Sequence, residues 1–145
     1  MKLFLSTTFS NKVNYETMEV EPDFRLEIEQ ILSVLRAAGH EVFAAVEDEG
    51  WKIGETTPSE TAKYDIQHID DSDALIAILH AKPSAGVQWE IGYADARGKK
   101  VYVISEEGID IGYWNRALEK LGRVTRLPYA RHNIQEFADA VKYKL

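Results

Sequence analysis

The 145-residue chain contains no cysteine. That excludes a disulfide scaffold, a thiolate metal site and a cysteine nucleophile at once. Its four histidines, His40, His68, His80 and His132, show no zinc-type spacing, so no metal site is expected. Glycine-rich Walker and dinucleotide fingerprints are missing, as is the GxSxG nucleophile elbow, and no motif asks for a cofactor. No apolar run reaches membrane-spanning length. The opening stretch, Met1-Lys2-Leu3-Phe4-Leu5-Ser6, is too short in apolar length for a secretory signal, so a cytoplasmic protein is expected. Positive charge is scarce as well: 17 Lys and Arg against 24 Asp and Glu leave a net charge of −7. Such a balance argues against a nucleic-acid polymer or an anionic membrane as partner. A small anionic ligand stays open, because the free amides of a helix N-terminus hold phosphate whatever the bulk charge.

What is present is an ordinary globular composition, 45% hydrophobic and 28% charged, in a length suited to one domain spanning residues 1–145. Short apolar runs alternate with helical patterns. Strands are predicted at residues 3–8, 40–45, 74–80, 100–105 and 124–127, the last interrupted by Pro128 and so placed at an edge. Helices are predicted at 22–38, where Phe24, Ile28, Ile31, Leu32 and Leu35 recur at helical spacing before a Gly39 cap, and at 57–71, 86–97, 111–121 and 133–142. Thr57-Pro58-Ser59-Glu60 reads as a helix start and Asn133 as a cap. Residues 10–15 and 47–57 read as polar loops, the second carrying Trp51. Strands alternating with helices predict an α/β fold: a single five-stranded parallel sheet flanked by helices, doubly wound, Rossmann-like or flavodoxin-like.

The richest segment is residues 83–100, which reads as loop, helix and glycine stop between two apolar strands. Glu90 falls in the first turn or so of that helix, at the carboxyl edge where open α/β sheets bind ligands. A surface acid complementing the helix dipole is the plain alternative. Asp65 shifts the balance. It lies on the preceding helix with Ala62, Ile66 and Ile69, on the side predicted to face the core, and a buried acid is uncommon unless paired or functional. Two carboxylates converging on one cleft suit acid–base work or glycosidic cleavage. Ser84 with the free amides of Ala85, Gly86 and Val87 forms an anion cradle, where Gly86 permits close approach of a ligand; a turn hydroxyl is the structural alternative. Ser6, Thr7 and Thr8 end the first strand at the same edge and could line a phosphate or ribose pocket, or serve only strand propensity. Trp51, Trp89 and Trp114 could stack on a base or fill a core. Asp70, Asp71 and Asp73 fit turn and capping roles.

Asp65, Asp73, Ser84, Gly86 and the run Glu90-Ile91-Gly92-Tyr93-Ala94 together resemble the nucleoside 2-deoxyribosyltransferase superfamily, which includes 2′-deoxynucleoside 5′-monophosphate and cytidylate N-glycosidases. The resemblance implies that Glu90 is the nucleophile at the anomeric carbon, that a glycosyl-enzyme forms with retention, and that Asp65 assists proton transfer to the departing base. It places Ser84 where the transferases have an acid and the monophosphate N-glycosidases a phosphate-binding serine. A hydroxyl can donate to a 5′-phosphate that an acid would repel, which favours hydrolysis of a nucleoside 5′-monophosphate. Base exchange between nucleosides and a non-catalytic nucleotide-sensing role are the alternatives. The first-strand loop, Thr7-Thr8-Phe9-Ser10-Asn11-Lys12, departs from the family's arginine-bearing loop, with Lys12 as a substitute cation. Tyr93 is expected beside the sugar. Gly122-Arg123 stands where a neighbouring subunit would supply a phosphate-binding serine, so Arg123 is expected in that role. The resemblance also implies a homodimer or higher oligomer.

Overall fold

The computed structural model describes residues 1–54 and 56–145; Glu55, inside the predicted 47–57 loop, lies outside the described residues. Along β1 (Lys2–Thr7) successive side chains alternate between two layers: Leu3 and Leu5 enter one core and Phe4 the other. Ser6 shares the parity of Phe4. That parity decides which helices it can meet.

A 3₁₀ turn (Ser10–Lys12), β2 (Val13–Asn14) and β3 (Glu19–Val20) precede α1 (Pro22–Ala37), β4 (Glu41–Ala44) and the short α2 (Ala45–Asp48). Then follow α3 (Pro58–Asp71), β5 (Ala74–Ile78), α4 (Ala85–Ala96), β6 (Lys100–Ser105), α5 (Tyr113–Lys120), β7 (Val124–Pro128) and α6 (Ile134–Lys144). Five strands form one parallel sheet in the order β4-β1-β5-β6-β7. All five residues of β5 are buried, as its unbroken apolar run requires between two helical layers. The edge strand β7 ends in Pro128, beyond the ladder's need for another donor. On one face Phe24, Ile28 and Ile31 of α1 pack with Phe137 and Val141 of α6; on the other lie Ile69 of α3 and Val87, Ile91 and Ala94 of α4. Each of the larger of these side chains, from valine upward, contributes about 1.5–3 kcal/mol by leaving water.

The chain leaves β1 in one direction to form β4 and returns in the other to form β5. The strand order therefore reverses between β1 and β5, and the crevice beyond their carboxyl ends is the switch point of the sheet.

Three local predictions are corrected. Residues 10–15 are not a plain loop: Val13 and Asn14 pair antiparallel with Val20 and Glu19. The segment predicted as a loop from residue 47 begins instead with helix α2, so Glu47 and Asp48 are helical. Helix α5 starts at Tyr113 rather than at 111, because Gly112 sits at φ 88° and its N–H donates to Asp110 Oδ1 at 2.9 Å, ending the preceding turn. The predicted start of α3 is a capping box: Glu60 N–H donates to Thr57 Oγ1 at 3.3 Å and Thr57 N–H to Glu60 Oε2 at 2.8 Å. Asn133 occupies the N-cap position of α6 without a side-chain cap bond.

Candidate active site

Ser84 is the N-cap of α4, its Oγ accepting from Val87 N–H at 3.3 Å, while Ser84 N–H reaches Thr8 Oγ1 at 3.4 Å. The cap thus ties the end of β1 to the start of α4 across the switch point. Glu90 is the sixth residue of α4, in its second turn, one residue deeper than a helix starting at 86 would place it. That depth brings its carboxylate over the end of β1, where Ser6 Oγ donates to Glu90 Oε2. The parity of β1 makes this bond possible.

Asp65 also faces the crevice. The inner face of α3 is Thr61, Asp65, His68 and Ile69; Ala62 and Ile66, predicted to share it, are exposed. The apolar residues misled because α3 packs inward mainly through Ile69, leaving its next turns to line a cavity. An inner cavity of about 250 Å³ is lined by Ser6, Thr7, Thr8, Asp65, Ser84, Gly86 and Glu90. Asp65, Gly86 and Glu90 also border an outer groove of about 470 Å³ whose walls include Phe9, Pro58 and Trp89. Burial pushes the Glu90 carboxyl up to about 7; the Ser6 hydroxyl opposes this and the Asp65 charge adds to it. Burial raises the Asp65 carboxyl too, partly offset by His68. Two carboxyls raised by burial in one crevice suit the roles of nucleophile and proton carrier.

Among the predicted site residues, Glu90, Asp65, Ser84, Gly86, Ser6, Thr7 and Thr8 share the inner cavity. Trp51, Tyr93 and Arg123 line neither cavity. Trp51 is in the core, at φ 62°, with the Arg25 guanidinium 5.0 Å from its ring centroid. Its N–H donates to the Val46 carbonyl and its own carbonyl accepts from Val20, which fixes the ring beneath the β2–β3 ribbon. Tyr93 turns away from the sugar position: its hydroxyl donates to Asp70 at 3.1 Å, and its ring stacks on Trp89 at 5.2 Å. Arg123 precedes β7 at the amino edge of the parallel sheet, paired with Asp95 at 2.7 Å, so it belongs to the opposite end of the molecule. Lys12 borders a small recess beyond Thr8 rather than the inner cavity.

Sequence reasoning missed Glu49 and Thr61, which line both cavities, and gave Phe9 no wall; of the three tryptophans offered as base-stacking residues, Trp89 alone borders either cavity. Trp89 had a usable signal, since it directly precedes Glu90 on a helix that crosses the crevice. Glu49 had none, because its position depends on the unpredicted α2.

Among the described residues, no helix is long and apolar enough to cross a membrane, and no group of three or more His, Asp or Glu side chains is arranged to hold a metal. An α/β sheet with two acidic side chains in one cavity at its switch point defines a class suited to cleaving bonds at an acetal-like carbon. The sequence model of the nucleoside 2-deoxyribosyltransferase family matches residues 20–125, and the chain belongs to that family. It is an enzyme acting on N-glycosidic bonds. The CMP N-glycosidase BcmB of Clostridium botulinum shares the fold with a TM-score of 0.71 at 23% identity over 100% of both chains. BlsM, in its solution structure, matches with a TM-score of 0.78 at 28% identity over 97% of this chain and 89% of its own. A 2-deoxyribosyltransferase from Bacillus psychrosaccharolyticus matches with a TM-score of 0.64 at 23% identity over 97% of this chain and 96% of its own. Among curated protein sequences none matches.

Proposed function

We propose that the chain hydrolyses the base–sugar bond of nucleoside 5′-monophosphates, of the 2′-deoxy series in the first place, through a glycosyl-enzyme on Glu90. The observation that carries this reading is the Glu90 carboxylate, held by Ser6 in one cavity with Asp65 and facing the hydroxyl-capped start of α4. A Glu90 oxygen attacks C1′ as the C1′–N bond breaks, and the bonding pair leaves with the base. The Asp65 carboxyl gives its proton to that base. Water then attacks C1′, Asp65 takes a proton from the water, and the Glu90–C1′ bond breaks to restore the carboxylate. Ser84 and the free amides of Ala85, Gly86 and Val87 receive the 5′-phosphate at the helix N-terminus.

Base exchange between nucleosides is the second reading, and one observation favours it. No Lys, Arg or His lines the inner cavity among the described residues, while Glu49, Asp65 and Glu90 all do. A neutral nucleoside meets less repulsion there than a phosphate dianion. Release of free base from matched nucleotides and nucleosides, followed by chromatography with and without a second base, separates the two. Hydrolysis of the nucleotide without exchange supports the first reading, and exchanged nucleoside supports the second. No base release by the intact protein, with nucleotide still bound, indicates the non-catalytic alternative.

Self-association belongs to the same proposal. Trp89, Tyr113 and Trp114 are exposed, the last two at 72% and 65%. Aromatic surface of that kind suits an interface. Sedimentation equilibrium of wild type against Trp114→Glu tests it, with a shift to monomer as the expected result.

A further inference from the structure

We infer that Trp89 is the platform on which the substrate's base stacks, and that Tyr93 is the positioning residue that sets the plane of its indole. This rests on the glycosidic reading of the site and extends it to the surface that holds the base.

Trp89 directly precedes Glu90 on α4 and is 47% exposed, so a large apolar ring stands beside the reacting carboxylate with half its surface uncovered. It borders the outer groove, where Phe9, Ile53 and Pro58 supply the other apolar walls. Asp65 and Glu90 border both that groove and the inner cavity. A sugar with C1′ over Glu90 therefore sends its base past Asp65 and alongside the indole. The groove's polar groups are engaged in other ways. The Thr56 and Thr61 hydroxyls lie 3.0 Å apart, within hydrogen-bond reach of each other, and Glu49 has an interaction within the chain. Asp65 and Glu90 serve the leaving nitrogen and the sugar. What remains for a flat heterocycle is aromatic and apolar surface. Stacking on such a surface raises affinity by roughly tenfold to a hundredfold per base, and it serves any base, because every base has a π-face.

The indole is held before a ligand arrives. Its ring lies nearly parallel to that of Tyr93, one helical turn further along α4, with 10° between the planes and 5.2 Å between centroids. The Tyr93 hydroxyl donates to Asp70, 3.1 Å from Oδ1 and 3.2 Å from Oδ2, and Arg97 Nε donates to the same Oδ1 at 2.8 Å. Asp70 belongs to α3, so the series Trp89, Tyr93, Asp70, Arg97 ties the indole to both helices that wall the groove. Tyr93 covers one face of the indole, and the exposed remainder is left for a base. A ring already fixed loses little rotamer freedom when a base settles on it.

The test uses Glu90→Ala, which lacks the proposed nucleophile, combined in turn with Trp89→Phe, Trp89→Leu, Tyr93→Phe and Tyr93→Leu, each shown folded by circular dichroism. Calorimetry compares cytidine, adenosine and their 5′-monophosphates, in ribo and deoxy forms, with 2-deoxyribose 5-phosphate, which has no base. Trp89→Leu should weaken the base-bearing ligands by at least about tenfold and Trp89→Phe by less than about threefold, and neither should change affinity for the sugar phosphate. Tyr93→Leu should weaken the base-bearing ligands by about threefold, and Tyr93→Phe should restore them, since phenylalanine keeps the stack without the hydroxyl. Those ligands should quench the tryptophan emission of Glu90→Ala, the sugar phosphate should not, and Trp89→Phe should remove the quench. Unchanged affinity in Trp89→Leu, equal losses for the sugar phosphate, or a quench that survives Trp89→Phe overturns the platform. Equal affinity of Tyr93→Phe and Tyr93→Leu overturns the positioning role. Absence of base release by wild type from every substrate overturns the hydrolytic reading, while the titrations still decide the role of Trp89; failure of every ligand to bind overturns both.

Discussion

Glu90 and Glu27 are both glutamates on helices packed against the same sheet, and their surroundings treat them in opposite ways. Glu90 receives one hydrogen bond, from Ser6, and faces a cavity and a second acid. Burial wins, and its carboxyl rises to about 7. Glu27, 5% exposed on α1, accepts from His80 Nε2 at 2.9 Å and from the Tyr129 hydroxyl, and pairs with Arg131 at 2.9 Å. Burial alone would raise it; the bonds from His80 and Tyr129 and the charges of His80 and Arg131 bring it down to about 2. A carboxylate met by two donors and a guanidinium is a structural tie between α1 and the loops after β5 and β7. One left short of donors is available to a substrate. Burial by itself distinguishes nothing; the count of donors does.

The comparison breaks first at Glu90. Glu90→Gln should lower the rate of base release by at least about 10³-fold while leaving the protein folded. Retained activity in a stopped assay would remove Glu90 from the mechanism. Because the folded carboxyl lies above its ordinary value of 4.5, ionising it costs stability as pH rises from 4.5 through about 7. Glu90→Gln should therefore be more stable than wild type at pH 8, by about 2–3 kcal/mol in urea unfolding. Asp65→Asn comes next, with a loss of about 10²-fold that is smaller for substrates with better leaving bases.

Glu27→Ala should cost about 3 kcal/mol of stability at pH 7, measured by urea denaturation. The sign for wild type is opposite to that of Glu90. Glu27 contributes stability above 4.5, its unperturbed value, and loses it as pH falls from there to about 2. The acid unfolding of Glu27→Ala should accordingly be shallower than that of wild type. The smallest effect is at Ser6. Its hydroxyl holds the Glu90 carboxyl down, so Ser6→Ala should move the acid limb of the pH–rate profile, near 7 in wild type, upward by about half a unit. A downward shift would show that Ser6 stabilises the protonated form.

Much of the site was legible because its parts are local in sequence. The 83–100 segment names its own strand–loop–helix order, and Glu90, Ser84 and Gly86 lie within one helix start. Asp65 was reached by helical spacing although, of the companions chosen for it, Ile66 turns outward and Ala62 borders only the outer groove. The failures are non-local. Trp51 looked like a loop aromatic, and only its position beneath Arg25 and the β2–β3 ribbon shows it as core. The Glu27 tie was invisible, since it joins residues 53 and 102 positions apart.

Gly112 carries a consequence for how such a site can change over generations. A Cβ placed there would lie 3.2 Å from Pro83 Cδ, and its φ of 88° already disfavours any side chain. Pro83 adjoins Ser84, so the residue proposed to receive the 5′-phosphate shares its freedom with the start of α5. With glycine at 112, the Pro83–Ser84 turn keeps its place, and a substitution at residue 84 need not disturb the start of α5. Any side chain at 112 would press on Pro83 and displace that turn.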